Sequence, residues 1–94
     1  MNDNTKEAYE KKIEAQLEQW QAEIDKLKAQ SKEKGAEAEV AANEKLVELE
    51  QKRDNVKAKL DAVKDASGDA WEELKSEVQT AAQDLGKALE SIRR

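Results

Sequence analysis

The side chains that carry out most enzyme chemistry are missing from this sequence, which has no His and no Cys. The commonest general base, the thiolate nucleophile and the best transition-metal ligands are lost together. Carboxylates remain. Glu72-Glu73 and Glu48 with Glu50 are acidic pairs, but a catalytic pair needs one carboxyl held protonated by burial in a concave pocket. On an exposed helix surface both acids ionise, and these pairs read that way. A helix-bundle di-metal site joins Glu to Glu-x-x-His, whose His half cannot be built here. No EF-hand, P-loop or dinucleotide fingerprint occurs. The sequence predicts a non-enzyme with no catalytic residue, metal site, cofactor or small-molecule substrate.

Three other residues stand out by type. Trp20 and Trp71 are the only tryptophans. An exposed Trp can anchor a partner or a lipid surface, but both lie on an apolar stripe at helical spacing, which is the position of a core aromatic. Arg53 interrupts a similar stripe between Leu49 and Val56. One polar residue in such a seam can fix register or partner, or its long side chain can reach outward to water. The sequence leaves both readings open.

The elements that must position these residues are helices. Of 94 residues, 41% are charged and 37% hydrophobic, with three Gly and no Pro. Heavy use of Ala, Glu, Lys, Leu and Gln is the composition of long helices or coiled coils. Only 19 side chains are Leu, Ile, Val, Trp or Tyr, too few for a thick core in a domain of this size. The net charge of −5 and the lack of a basic patch exclude a nucleic-acid footprint. The first 25 residues hold no apolar signal core. No stretch approaches the roughly 18 apolar residues of a membrane span. The expected location is cytoplasmic, which the absence of Cys fits.

Ile13, Leu17, Trp20, Ile24 and Leu27 follow one another at spacings of four and three, the seam of a coiled coil. The frame continues through Ser31, Lys34, Ala38 and Ala41, where it thins. It resumes one residue late with Leu46, Leu49, Arg53, Val56, Leu60 and Val63. Leu27, Ala38, Leu49, Leu60 and Trp71 stand 11 apart, a period that keeps a stripe on one face of an almost straight helix. Ser67-Gly68-Asp69 is the clearest break: Gly68 can take the left-handed conformation, Asp69 can cap the next helix, and Glu72 completes a capping-box-like pattern. Trp71, Leu74, Val78, Ala81, Leu85, Ala88 and Ile92 then form a second seam, with Leu89 beside it and Arg93 and Arg94 at the negative end of the helix dipole.

Gly35 is ambiguous. Lys28, Lys32 and Lys34 before it and Glu37 and Glu39 after it suit the dipoles of two helices. No Ser, Thr, Asp or Asn stands between Lys34 and Glu39 to cap a new helix, and one Gly inside a helix costs only about 1 kcal/mol. The sequence therefore predicts one helical unit over 1–94, all-α: an extended coiled-coil-like hairpin. Its parts are a long helix of about 5–66, a turn at 67–69 and a helix of about 70–92. The alternative is a three-helix bundle with a break near Gly35. The long helix would run about 90 Å.

In that hairpin, Leu49, Val56, Leu60 and Val63 meet Trp71, Leu74, Val78, Leu85 and Ile92 across the turn. The second helix covers residues 43–66 but cannot reach Ile13, Leu17, Trp20, Ile24 and Leu27. These five become the candidate interface, to be covered by a partner chain or by a fold-back at Gly35.

Gln16-Leu17-Glu18-Gln19-Trp20 with Ile24-Asp25-Lys26-Leu27, Lys52-Arg53-Asp54, and Ala66-Ser67-Gly68-Asp69-Ala70-Trp71-Glu72-Glu73-Leu74-Lys75 extend over most of the chain. In them the sequence resembles a family of small bacterial coiled-coil proteins from cyanobacteria and proteobacteria, described as stress-response or coiled-coil-domain proteins. Its members often carry a further Trp in the final helix, where this chain has Ala82. The resemblance implies a cytosolic helical protein linked to stress, and brings no catalytic residue with it.

The expected function is protein–protein interaction or a structural role, through a homo-oligomer, a dimer first, or a helical protein partner. Two alternatives belong to other classes. One is reversible binding of a membrane surface by the Trp71, Leu74, Val78, Leu85, Leu89 and Ile92 face, opposed by net acidity and a polar face poor in Lys and Arg. The other is a stress protectant that passes from disorder to helix, favoured by high charge and opposed by the regular seam.

Overall fold

Helix runs where the four-three spacing of apolar residues runs, and it stops at two glycines. The computed structural model describes residues 2–33 and 35–93. Among the described residues the chain forms three helices and no strand: α1 (Asn2–Glu33), α2 (Ala36–Asp65) and α3 (Ala70–Arg93). The predicted all-α class is the one observed.

The continuous helix expected over about 5–66 is not formed. Gly35 adopts φ 103° and ψ 172° and divides it into α1 and α2. The sequence objection was sound in itself, since no side chain caps the start of α2. Burial decides against it. Folding α1 back covers Tyr9, Ile13 and Ile24 and half-covers Leu17, Trp20 and Leu27. Complete burial of one large apolar side chain contributes about 1.5–3 kcal/mol, so two or three outweigh an uncapped helix end worth about 1 kcal/mol. Of the residues that bore on this break, Lys32 sits in the last turn of α1. Lys34, the side chains of Glu37, Ala38, Glu39 and Ala41, and Arg94 lie outside the described residues.

The second break falls where expected. Residues 66–69 leave the helix, Gly68 takes φ 57°, and the Ala66 N–H donates to the Val63 carbonyl at 3.2 Å. On the far side the Ala70 N–H donates to the Ser67 carbonyl and the Glu72 N–H to the Asp69 carbonyl, opening α3. Glu72 and Glu73 stand in its first turn, against the positive end of the dipole.

Each helix runs antiparallel to the one before it, so α1 and α3 start at the same end. Lys59 with Glu77 and Lys52 with Asp84 bridge α2 and α3 around Gly68. Lys64 with Glu14 and Lys28 with Glu50 bridge α1 and α2. The molecule measures 52 × 20 × 17 Å, little more than half the length of the unbroken helix. One core joins the helices, with Ile24, Leu49, Val56, Leu60, Val63, Val78, Leu85 and Leu89 almost without exposure.

Candidate helix-docking surface

The five candidate interface residues all face this intrachain core. Ile13 and Ile24 are 3% and 0% exposed, and Leu17, Trp20 and Leu27 are half-buried against the same cluster. Of the two covers the sequence offered for this seam, a partner chain or a fold-back at Gly35, the structure has the fold-back: α2 covers the seam once the chain reverses at Gly35. Tyr9 extends the seam one step beyond Ile13 and was not singled out in the sequence. Its position four residues before Ile13 was the available signal. Ser31, also in the frame, is 6% exposed, and its hydroxyl donates to the Lys28 carbonyl of its own helix at 2.8 Å.

Charged side chains border this seam. Lys28 Nζ lies 3.0 Å from Glu50 Oε1, and Lys64 Nζ 2.7 Å from Glu14 Oε1. The bond accepted by Glu14 holds the Lys64 ammonium above its usual pKa, assisted by the charges of Glu14, Asp61 and Glu10. Exposed pairs of this kind are worth at most about 1 kcal/mol, so they set register more than stability.

Arg53 lies half-buried at the edge of the seam. Its guanidinium bonds Asp54 Oδ1 on its own helix, with Nη2 at 2.8 Å and Nε at 3.1 Å. It also crosses to α1, where Nη1 donates to Gln21 Oε1, while Gln21 Nε2 donates to Asp25 Oδ1 at 2.9 Å. A polar chain thus spans the edge of the seam beside Val56 and Ile24.

The starting end of α1 closes over the α2–α3 turn. The Lys6 ammonium donates to the Lys64 carbonyl at 3.1 Å and the Ala66 carbonyl at 2.8 Å. It thereby supplies donors and positive charge at the C-terminus of α2, where carbonyls lack intrahelical partners. The Tyr9 ring lies 5.9 Å from that of Trp71, tilted by 39°. Lys75 Nζ stands 5.3 Å from the Tyr9 centroid and 5.7 Å from that of Trp71, within cation–π range of both. The Tyr9 hydroxyl approaches the Lys75 carbonyl at 3.4 Å, and burial raises its pKa. Trp71 is accordingly a core residue.

The hairpin seam lies inside the same core. Leu49, Val56, Leu60, Val63, Trp71, Val78 and Leu85 are buried, and Leu74 and Ile92 half-buried. The α3 face offered above to a lipid surface is therefore occupied by the chain itself. Glu48, Glu72 and Glu73 are exposed, and Glu50 pairs with Lys28. Glu48, Gln51, Lys52, Asn55, Ala81 and Asp84 line an open, mostly polar groove between α2 and α3. Among the described residues no group of three or more acids stands close enough to hold a metal ion, and no helix is long and apolar enough to cross a membrane. Val40 and Val47, seven apart on α2, are 64% and 55% exposed.

The hairpin of α2 and α3 is thus covered by the chain's own α1, through apolar residues at four-three spacing, flanking charges and Lys6. Comparison with protein-family models, curated proteins and solved structures finds no match to this chain.

Proposed function

We propose that this chain is a non-enzymatic helix-recognition protein, working through self-association or the capture of a helical partner. One observation carries the reading: α1 sits on the α2–α3 hairpin as a ligand sits on a receptor. Its apolar stripe enters a matching stripe on α2, Glu14, Gln21 and Lys28 meet complements on the receptor edge, and Lys6 closes the end. A surface that selects such a helix within the chain presents the same selectivity to one arriving from outside. Specificity of this kind rests on apolar spacing and edge charge. The resemblance described above supplies a stress response as its context.

The test is capture of a synthetic α1 peptide, residues 2–33, by the full chain. Labelled peptide should gain fluorescence anisotropy on addition of the chain. A peptide with Ile13 and Ile24 replaced by Glu should not, because two charges would enter a desolvated seam. A chain that takes up neither peptide and sediments as a monomer over a wide concentration range would falsify the proposal.

A further inference from the structure

We infer that two copies of this chain exchange α1, opening at Gly35 so that α1 and α2 join into one continuous helix and each α1 docks on the other copy's hairpin. The inference rests on the helix-recognition reading and names the occupant of that surface as a second copy.

The hinge is the first support. Only residues 34 and 35 separate α1 from α2, and short connections between packed elements invite exchange because closing them is costly and opening them relieves it. Gly35 holds φ 103°, no side chain caps the start of α2, and a Cβ built at Gly35 meets nothing within 4 Å. Among the described residues, the backbone conformation of Gly35 marks the break. In the open form the first-turn N–H groups of α2 bond to the last carbonyls of α1, satisfying groups that a helix end leaves without intrahelical partners.

The second support is the stripe. The four-three frame itself slips by one residue before Leu46, but Leu27, Ala38, Leu49 and Leu60 stand 11 apart across the hinge. A chain broken at Gly35 has no need of that spacing, whereas in an unbroken, almost straight helix it keeps the four on one face. Ala36, Ala38, Ala41 and Ala42 follow the hinge and favour helix.

The third is symmetry. Glu14 with Lys64 and Lys28 with Glu50 are symmetric about residue 39, Gln21 with Arg53 about residue 37 and Lys6 with Ala66 about residue 36. Two antiparallel continuous helices related by a two-fold axis in this stretch, near residue 37, keep the same register and re-form these contacts between copies, each of them twice. The axis brings together the two alanine-rich segments, whose small residues let helices cross closely. The contacts of α1 with α2 and α3 recur unchanged, each now between copies.

The test compares the full chain with Gly35→Ala. Alanine is disfavoured at φ 103° and favoured inside a helix, and with no neighbour to strike it acts through the backbone alone. The dissociation constant of the dimer should fall roughly a hundredfold. The longest dimension in small-angle scattering should rise from near 52 Å to roughly 105 Å, because two continuous helices crossing near residue 37 each begin about 35 residues from the axis, on opposite sides of it. A Glu14→Cys, Lys64→Cys variant treated with a short bis-maleimide should cross-link between chains in the Gly35→Ala background. With a flexible Gly-Ser insertion after Gly35 it should cross-link within one chain. A monomeric Gly35→Ala protein, one that loses helicity at every concentration, or a dimer cross-linked only within chains overturns exchange. Capture of the α1 peptide by such a protein would leave helix recognition standing.

Discussion

Tyr9 reports on the closed end of the molecule, because its phenol is buried between α1 and α3 beside Trp71 and the Lys75 ammonium. Burial disfavours the phenolate and raises its pKa in the folded chain above the ordinary value of about 10. Lys64 is raised too, chiefly by the bond to Glu14, though it is exposed and water screens most of that effect. A folded pKa raised above the unfolded one gives stability that is whole below the unfolded value and disappears as pH rises through the folded value. Both groups therefore place their loss on the alkaline side, above about pH 10. The melting temperature should hold level from neutral pH to about pH 9 and fall beyond it, with a shallower fall in Tyr9→Phe, which keeps the ring contact and removes the titration. Equal alkaline slopes for the two proteins in thermal melts followed by circular dichroism would show that Tyr9 adds nothing.

The three helices differ in how far their sequence fixes them. The turn at Ser67-Gly68-Asp69 was legible because its signals are local: a glycine free to take the left-handed conformation, which Gly68 does, and apolar residues equidistant on either side. Arg53 was half legible. Its place in the seam was plain, but its bond to Gln21 depends on α1 returning, and no local pattern shows that. The break at Gly35 was the point of failure, for the same reason. Cap chemistry and glycine cost favoured continuity, whereas the deciding term comes from Tyr9, Ile13 and Ile24 meeting residues far away in sequence. The docking surface shares this history: its residues were identified in the sequence, but their partner was not.

Replacing both Trp20 and Ile24 with Glu tests the docking of α1 directly, since it places charge in a buried seam at a cost of several kcal/mol. The expected result is release of α1 with most of the helicity of α2 and α3 retained, because their own seam is untouched. Complete loss of helicity would make α1 an inseparable part of one core.

The core is thin and unevenly shared. Among the described residues, ten of the thirteen buried hydrophobic side chains belong to α2 and α3, five to each, while α1 contributes only Tyr9, Ile13 and Ile24. The α2–α3 hairpin is also tied by a turn with its own backbone hydrogen bonds, whereas α1 joins through a hinge with no side-chain cap. Subglobal openings begin where buried contacts are fewest. α1 should therefore leave before the hairpin opens, which gives exchange and partner capture a route that spares most of the core. Hydrogen exchange on the intact chain reads this out: backbone amides of residues 13–27 should exchange at least tenfold faster than those of 49–63 and 78–89. The Gly35→Ala dimer should narrow that gap, since an α1 continuous with α2 no longer has a free hinge. Uniform protection across all three segments would mean that the molecule opens only as a whole, and the low-cost path from closed monomer to exchanged dimer would not exist.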